Sequence, residues 1–365
     1  MKIENYYLEK LIGKGDFCEV YFTTKKDDQK KYATKVYNRA FIDENQELTR
    51  YLRKEVMIVK NLNHPNISKL HDRKKKKNHY YIIYEYCNGG RLSEALEKYM
   101  EKYGKPFPEE IIQYLMRQII NVYQYIRVES ILHRLAFLDN LLLNYENEED
   151  AKNLNLMKSQ IKIKNFLLAE YLPENIEYSS FIELSEYNGC ENPSILKQLD
   201  KKITKAKRLN FYDKNNDIWS IGCICYEMLM GISLLNEGKM EKILQKIKNG
   251  NYTIPMTISY EIISFINGML DKKKDERLNY YGLIKHDFFT KDVNEFKKME
   301  LRLSEKIFSG TFNIDDLSTG SIWRIFNEKD DALLSSILGS VHIIFPEKDK
   351  NSEIFFEKEK ESTSK

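Results

Sequence analysis

The stretch His133-Arg134-Leu135-Ala136-Phe137-Leu138-Asp139-Asn140, followed by the apolar run Leu141-Leu142-Leu143, decides how the rest of the chain is interpreted. Histidine, arginine and asparagine stand at fixed spacing ahead of a short apolar segment that is typical of a buried strand. A leucine and a phenylalanine lie between them, and neither side chain can accept a proton or hold a metal ion. The stretch thus combines polar residues at His133, Arg134 and Asn140 with apolar residues at Leu135 and Phe137.

The composition is that of a folded chain. Its 365 residues are 42% hydrophobic and 31% charged, which is enough for one large domain with an extension. The net charge of +3 is close to neutral for this size, so attraction to nucleic acid would have to come from local patches. We therefore expect protein partners and no nucleic acid.

The cysteines and the amino terminus bear on the compartment. The cysteines at positions 18, 87, 190, 223 and 225 form no CxxC pair, which argues against a zinc module or a disulfide framework. Residues 1–7 are polar and charged, and nowhere do about 18 uncharged apolar residues follow one another. We expect a soluble, cytoplasmic protein without a membrane span.

The segment Ile12 to Tyr21 is apolar at both ends and carries Gly13 and Gly15 between them. Glycines allow a backbone to close over phosphates without an intervening side chain. On its own this pattern favours a plain hairpin turn over a phosphate-binding loop.

Two further segments strengthen the phosphate interpretation. Lys31 to Tyr37 alternates as a strand and presents Lys35, and a helix capped by Asp43 is predicted to run to about Asn61. Glu55 lies on this helix, where a solvent-facing charge is the usual role of a glutamate; its position relative to Lys35 gains a second interpretation from the family resemblance given below, which implies an ion pair between the two.

The strands that follow are also visible in the sequence. Tyr80 to Tyr86 is typical of a buried strand that enters the linker Cys87 to Gly90, and Pro108 opens a long amphipathic helix. Gln160 to Ala169 alternates again and contains Asn165-Phe166-Leu167.

Together these segments resemble, in order and spacing, the motifs of eukaryotic protein kinases. The opening stretch resembles the catalytic loop His-Arg-Asp-x-Lys-x-x-Asn, with matches at His133, Arg134 and Asn140. The glycine segment resembles G-x-G-x-x-G-x-V, with Cys18 at the third glycine. Lys35 matches the lysine of V-A-I-K, and Asp217 to Gly222 matches D-x-W-S-x-G.

The resemblance implies an α+β, bilobal kinase-like fold with a small β-rich N-lobe and a larger, mainly helical C-lobe. The N-lobe would cover residues 1–86 and the C-lobe residues 87–290, with insertions near 145–160 and 197–210. A C-terminal extension, residues 291–365, would be partly helical and disordered at its end.

The resemblance also implies site residues. Tyr84 takes the gatekeeper position, and Glu85 and Cys87 would offer backbone groups to adenine. The residues expected at the nucleotide are Ile12, Gly13, Gly15, Val20, Ala33, Lys35, Glu55, Tyr84, Glu85, Cys87 and Leu142. Asn140 and Asn165 remain as weak metal ligands.

Three positions depart from the family pattern. Leu135 replaces the catalytic aspartate, whose loss as a general base costs about 10²–10⁴ in rate. Phe137 replaces the usual lysine, and Asn165 replaces the aspartate that anchors magnesium. The sequence predicts a pseudokinase that binds ATP, with magnesium weak or absent, and acts as a scaffold or allosteric regulator. The alternative is an unorthodox active serine/threonine kinase in which Asp139 or another acid serves as base.

Several features leave alternatives open. The activation loop, 165–194, ends in Asn192-Pro193-Ser194, without the glutamate that pairs the family's buried arginine, here Arg277; Glu191 is a candidate substitute. The basic clusters 73–77 and 201–208 are either solvated turns or docking surfaces for an acidic partner, which could be another kinase. The apolar block from 322 to 345 packs on its own lobe or enters a partner's groove, and we favour the first.

Overall fold

The computed structural model describes residues 2–15, 17–27, 29–171, 216–234, 258–271, 273, 276–290, 341–343 and 356–358. The predicted activation loop beyond position 171, the basic cluster 201–208, Glu191 and most of the apolar block 322–345 lie outside these residues. The chain divides into two compact units, Met1–Tyr252 with Ser264–Thr290 and Thr253–Ile263 with Lys291–Lys365.

A six-stranded antiparallel sheet opens the first unit. Its strands are β1 Lys2–Ile3, β2 Tyr6–Lys14, β3 Glu19–Lys25, β4 Lys31–Asn38, β5 Leu70–Lys75 and β6 His79–Glu85. The spatial order is β1-β2-β3-β4-β6-β5, with Val20 opposite Lys35 and Ala33 opposite Tyr84. Period-two alternation places the apolar face of these strands in the interior. The register brings the predicted nucleotide residues of three strands to one face.

Two helices connect β4 to β5. Helix α1 Arg39–Glu44 is short, and α2 Gln46–Asn61 begins after Asn45, whose side-chain oxygen accepts a hydrogen bond from Leu48 N at 3.0 Å. The prediction of Asp43 as the helix cap is therefore wrong. Asp43 lies inside α1 and pairs with Arg39 at 3.1 Å, while Asn45 has the extended backbone that an N-cap needs.

The remainder of the first unit is mainly helical. Its helices are α3 Leu92–Tyr103, α4 Glu109–Val128, α5 Glu148–Lys152, α6 Asn216–Met230, α7 Tyr260–Met269 (of which the residues from Ser264 onward belong to this unit), α8 Tyr280–Ile284 and α9 Asp287–Thr290. Its strands are β7 Ile131–Leu132, β8 Leu141–Asn144, β9 Gln160–Ile163 and β10 Glu170–Tyr171, with 3-10 turns at Leu138–Asn140 and Leu156–Lys158. A small sheet followed by a larger helical part confirms the predicted α+β, bilobal fold class.

The core of this helical part is built on α4, as the amphipathic pattern predicts. Ile112, Leu115 and Ile119 on one face of α4 are fully buried, and so are Ile218 and Trp219 of α6. These apolar faces exclude water around the loop that begins at His133.

The insertion after β8 has structure of its own. Asn147 caps α5, and Lys158 returns to Asp150 at 3.1 Å. Glu148 pairs with Lys31 of β4 at 2.7 Å. The inserted segment is thus tied to the sheet across the first unit.

The basic cluster 73–77 forms the end of β5 and the turn into β6. Lys74 lies 3.0 Å from Glu4 and 3.1 Å from Asp72, and Lys76 lies 2.7 Å from Glu4. Part of its charge is neutralised within the chain, which favours the solvated turn over a docking surface.

In the second unit, strand β11 Val341–Ile343 pairs antiparallel with β12 Phe356–Lys358. Across the described ranges, none of the helices is both long and apolar enough to cross a lipid bilayer.

Candidate functional site

A cleft of about 1350 Å³ lies between the six-stranded sheet and the helical part of the first unit. All residues predicted at the nucleotide line it except Glu55, which contacts the lining residue Lys35. The cleft walls therefore contain Gly13 of β2 and Gly15 just after it, the apolar side chains of Val20, Ala33 and Leu142, and the linker after β6.

One buried ion pair fixes the back of the cleft. Lys35 Nζ lies 2.8 Å from Glu55 Oε1, and the two side chains are 15% and 1% exposed. The hydroxyl of Tyr84 donates to the same carboxylate oxygen at 3.3 Å, and Lys35 Nζ lies 5.2 Å from the centre of the Tyr84 ring. Glu55 is therefore not a solvent-facing helix charge: it joins α2 to β4.

The loop from His133 is held by its backbone. Asp217 of α6 accepts hydrogen bonds from His133 N at 2.8 Å and Arg134 N at 2.9 Å. The ring of His133 lies edge-on to Phe166, with centroids 4.7 Å apart. Arg134 has a φ of 66° and Asn165 a φ of 67°, left-handed conformations that cost energy for most residues and persist where the surroundings impose them.

The His133 side chain is neutral in this frame. Nε2 faces the carbonyl of Lys164 at 3.1 Å, so it carries the proton, and Nδ1 faces the Tyr123 hydroxyl at 3.1 Å. Burial lowers the pKa of His133 to about 4.

The departures from the family pattern lie together in the cleft. Leu135 is buried at its edge, and Phe137 and Asn165 also line it. Asn165 Nδ2 lies 3.4 Å from Asn140 Oδ1, while Asn140 Nδ2 donates to the carbonyl of Leu135 at 2.9 Å. The two amides are paired with each other.

This arrangement does not fit a magnesium ion well. Mg²⁺ prefers anionic oxygen ligands in octahedral geometry, whereas the two predicted ligands here are neutral amides, and the Asn140 oxygen already accepts a hydrogen bond from Asn165. Within the described ranges, no group of three or more His, Cys, Asp or Glu residues could hold a metal ion.

The alternative base, Asp139, is held elsewhere. Its Oδ1 accepts hydrogen bonds from Ser93 Oγ at 2.8 Å and from Arg91 Nη1 at 3.2 Å. Both partners belong to the start of α3 and its cap, so the carboxylate is engaged with that helix.

The model of the protein kinase domain matches residues 6–289 of this chain. The chain belongs to the protein kinase family. The resemblance inferred from the sequence motifs is confirmed.

Individual kinases are similar over the same part of the chain. Serine/threonine-protein kinase PLK4 of Drosophila ananassae is 27% identical over 289 residues, which make up 79% of this chain and 34% of that protein. Serine/threonine-protein kinase atg1 of Dictyostelium discoideum is 28% identical over 301 residues, or 81% of this chain and 41% of that protein. PLK4 of Danio rerio is 27% identical over 289 residues, or 79% of this chain and 28% of that protein. The chain thus matches well under half the length of each of these relatives.

Sequence analysis missed a lysine in this kinase domain. Lys164 follows β9, lines the cleft next to Asn165 and is half-buried. Its pKa is lowered to about 8, first by burial and then by the neighbouring charges of Lys35 and Arg91. The alternation of residues 160–164 puts Lys162 and Lys164 on one side of the strand, which is the signal that could have found it.

A second missed contact joins α2 to the catalytic loop of the kinase domain. Glu170 of β10 lies 2.5 Å from Lys54 of α2 and 3.9 Å from Arg134 Nη1. The Glu170 carboxylate therefore lies within ion-pair distance of the Arg134 guanidinium. No spacing rule predicts this contact, because it depends on how β10 pairs with β7.

The kinase glycine loop also differs at Cys18. Its thiol lines the cleft and shares a hydrogen bond with the Tyr37 hydroxyl, and burial raises the pKa of Cys18. The thiol therefore stays protonated at neutral pH.

For the buried arginine of the kinase domain, the structure gives a partner in the described residues. Arg277 donates through Nε and Nη2 to the carbonyl of Asp271, at 3.1 and 2.9 Å, and its guanidinium lies 5.4 Å from the Trp219 ring centre. Glu191, the predicted substitute, lies outside the described residues.

Proposed function

We propose that this protein is a catalytically impaired, serine/threonine-kinase-like protein that binds ATP and acts as a scaffold or allosteric regulator. The observation that carries the proposal is the contrast between a formed Lys35–Glu55 pair at 2.8 Å and a catalytic loop with Leu135 and Phe137 in place of polar groups.

The ATP part rests on the cleft. Its volume and apolar walls suit a purine, and Gly13, Gly15 and Lys35 suit phosphates. Members of the protein kinase family bind ATP in general, and the residues that would do so are present here.

The impaired chemistry rests on proton transfer. Phosphoryl transfer to a hydroxyl needs a carboxylate that orients and accepts the proton, at rates of about 1–100 s⁻¹ in active kinases. Of the acids that line the cleft, Glu85 contacts Lys162, Glu94 contacts Arg91 and Glu148 contacts Lys31. Asp139 is engaged by Arg91 and Ser93, which speaks against the active alternative.

The regulatory part follows from these two. A kinase domain that binds nucleotide and does not turn it over can act only through the shape it presents to protein partners. The partner's identity and the cytoplasmic location stay predictions.

The test is phosphate transfer from labelled ATP by the purified chain, to generic protein substrates and to itself. We expect wild-type transfer to equal that of Lys35→Met. Lys35→Arg, which keeps a positive charge beside Glu55, separates loss of transfer from loss of fold. Robust transfer by wild type that both variants abolish would overturn the impaired-kinase proposal in favour of an active kinase.

A further inference from the structure

The backbone of Lys164 is fixed on both sides. Its N–H donates to the carbonyl of Asn140 at 3.0 Å, and its own carbonyl faces His133 Nε2 at 3.1 Å. Both contacts belong to the catalytic loop. These contacts fix the point from which the Lys164 side chain enters the lining of the cleft.

The cationic side chains near Lys164 each form an ion pair, whereas Lys164 does not form one within the described residues. Lys35 is paired with Glu55 at 2.8 Å, Lys162 with Glu85 at 3.0 Å, and Arg91 with Glu94 and Asp139 at 2.6 and 3.2 Å. Throughout the described part of the chain, no carboxylate lies within 4.0 Å of Lys164 Nζ. A half-buried ammonium group that forms no ion pair within the described residues, and on which Lys35 and Arg91 act more strongly than the carboxylate of Asp139, attracts an anion.

The position of this ammonium group matters. Lys164 directly precedes Asn165, whose amide is paired with Asn140 where the family has metal ligands. Asn140 and Asn165 offer no anionic oxygen to a divalent cation, and the positively charged ammonium group of Lys164 lies on the residue next to Asn165. Lysine is a compact point charge and a common phosphate ligand.

We propose that Lys164 binds the phosphates of a nucleoside triphosphate directly and replaces the metal ion, so that Lys35 and Lys164 together hold the nucleotide without magnesium. This inference rests on the proposed function, ATP binding in the cleft. It assigns the ligand class: a nucleotide with at least two phosphates, free of metal.

The test measures affinity for ATP, ADP, AMP and adenosine by calorimetry in EDTA, with the full chain. Lys164→Met should weaken ATP binding about tenfold, which is about 1.4 kcal/mol, and should leave adenosine binding unchanged. Lys164→Arg should retain most of the ATP affinity. Lys98→Met is the matched control, since Lys98 lines the same cleft from α3 but is exposed, and it should bind as wild type does.

A second arm exchanges the two kinds of charge. The double variant Lys164→Met with Asn165→Asp removes the ammonium group at position 164 and introduces a carboxylate at position 165, where the family has its metal-binding aspartate. ATP binding should then recover on addition of magnesium, at least tenfold relative to EDTA. Melting temperatures without ligand check that each variant is folded.

The outcomes separate the two proposals. If wild type binds ATP in EDTA and folded Lys164→Met binds it within twofold of wild type, Lys164 is not a phosphate ligand, while the proposed function stands. Equal affinities of wild type for adenosine and ATP would also overturn the inference. If wild type binds no nucleotide with or without magnesium, the ATP part of the proposed function fails, and this inference fails with it.

Discussion

The two sides of the cleft match the kinase family pattern in different ways: the β4 side matches it in its side chains, and the catalytic-loop side in its backbone contacts. On the β4 side, the side chains themselves match the family pattern, and Lys35 reaches Glu55 at 2.8 Å. On the catalytic-loop side, only the frame matches: Asp217 still binds two backbone N–H groups, while Leu135 and Asn165 occupy the reactive positions. The difference indicates that the packing of a kinase cleft is separable from its chemistry.

The largest effect is expected on the β4 side. Lys35→Met leaves the Glu55 carboxylate buried, with the Tyr84 hydroxyl at 3.3 Å as its remaining hydrogen-bond donor among the described residues. Removing one partner of a buried pair costs about 3–5 kcal/mol of unfolding free energy. Chemical denaturation measures it, and Lys35→Met with Glu55→Leu should recover much of the loss. A loss below about 1 kcal/mol in the single variant would mean that water relieves Glu55.

The frame of the catalytic loop predicts a pH dependence. The pKa of His133 is lowered to about 4 from the ordinary value of 6.5 in the unfolded chain, so the unfolded state binds the proton first as pH falls. Stability should therefore be full above pH 6.5 and decrease towards pH 4, by about 2 kcal/mol between pH 7 and pH 5. Denaturation of wild type and His133→Gln at both pH values measures the difference in slope. Equal slopes would show that His133 is not the titrating group.

The smallest effect is expected when magnesium is removed from the ATP-binding measurement. If the catalytic-loop side contributes little metal-bridged energy, replacing magnesium by EDTA should change the ATP affinity of wild type by less than about tenfold, or 1.4 kcal/mol. The affinity itself should lie in the micromolar to millimolar range. Thermal-shift titration with each condition decides it, and a large magnesium requirement would mean that Asn165 still organises the ion.

Much of the fold could be predicted from the sequence, because its signals are local. The alternation of Lys31 to Tyr37 and the apolar face of α4 each determine one element, and motif spacing then determines the order. Asp43 and Asn45 illustrate the limit: both are good capping residues, and only the backbone conformation at Asn45 decides between them.

The site was predicted in part for the same reason. Lys35 and Glu55 were identified because each stands in a motif. Lys164 and Glu170 were missed because their roles depend on contacts between distant segments, Lys164 with the loop at Asn140 and Glu170 with Lys54 and Arg134. Charged residues are usually solvated, so without tertiary contacts neither lysine nor glutamate stands out.

The left-handed backbone at Arg134 and Asn165 has a consequence for protein engineering. Such conformations cost about 1–3 kcal/mol each, and this chain maintains them although its loop lacks the aspartates that active kinases carry there. The left-handed backbone is thus present with Leu135 and Asn165 in place of those aspartates. That makes the fold a ready host on which catalytic groups can be grafted one at a time and the contribution of each read separately.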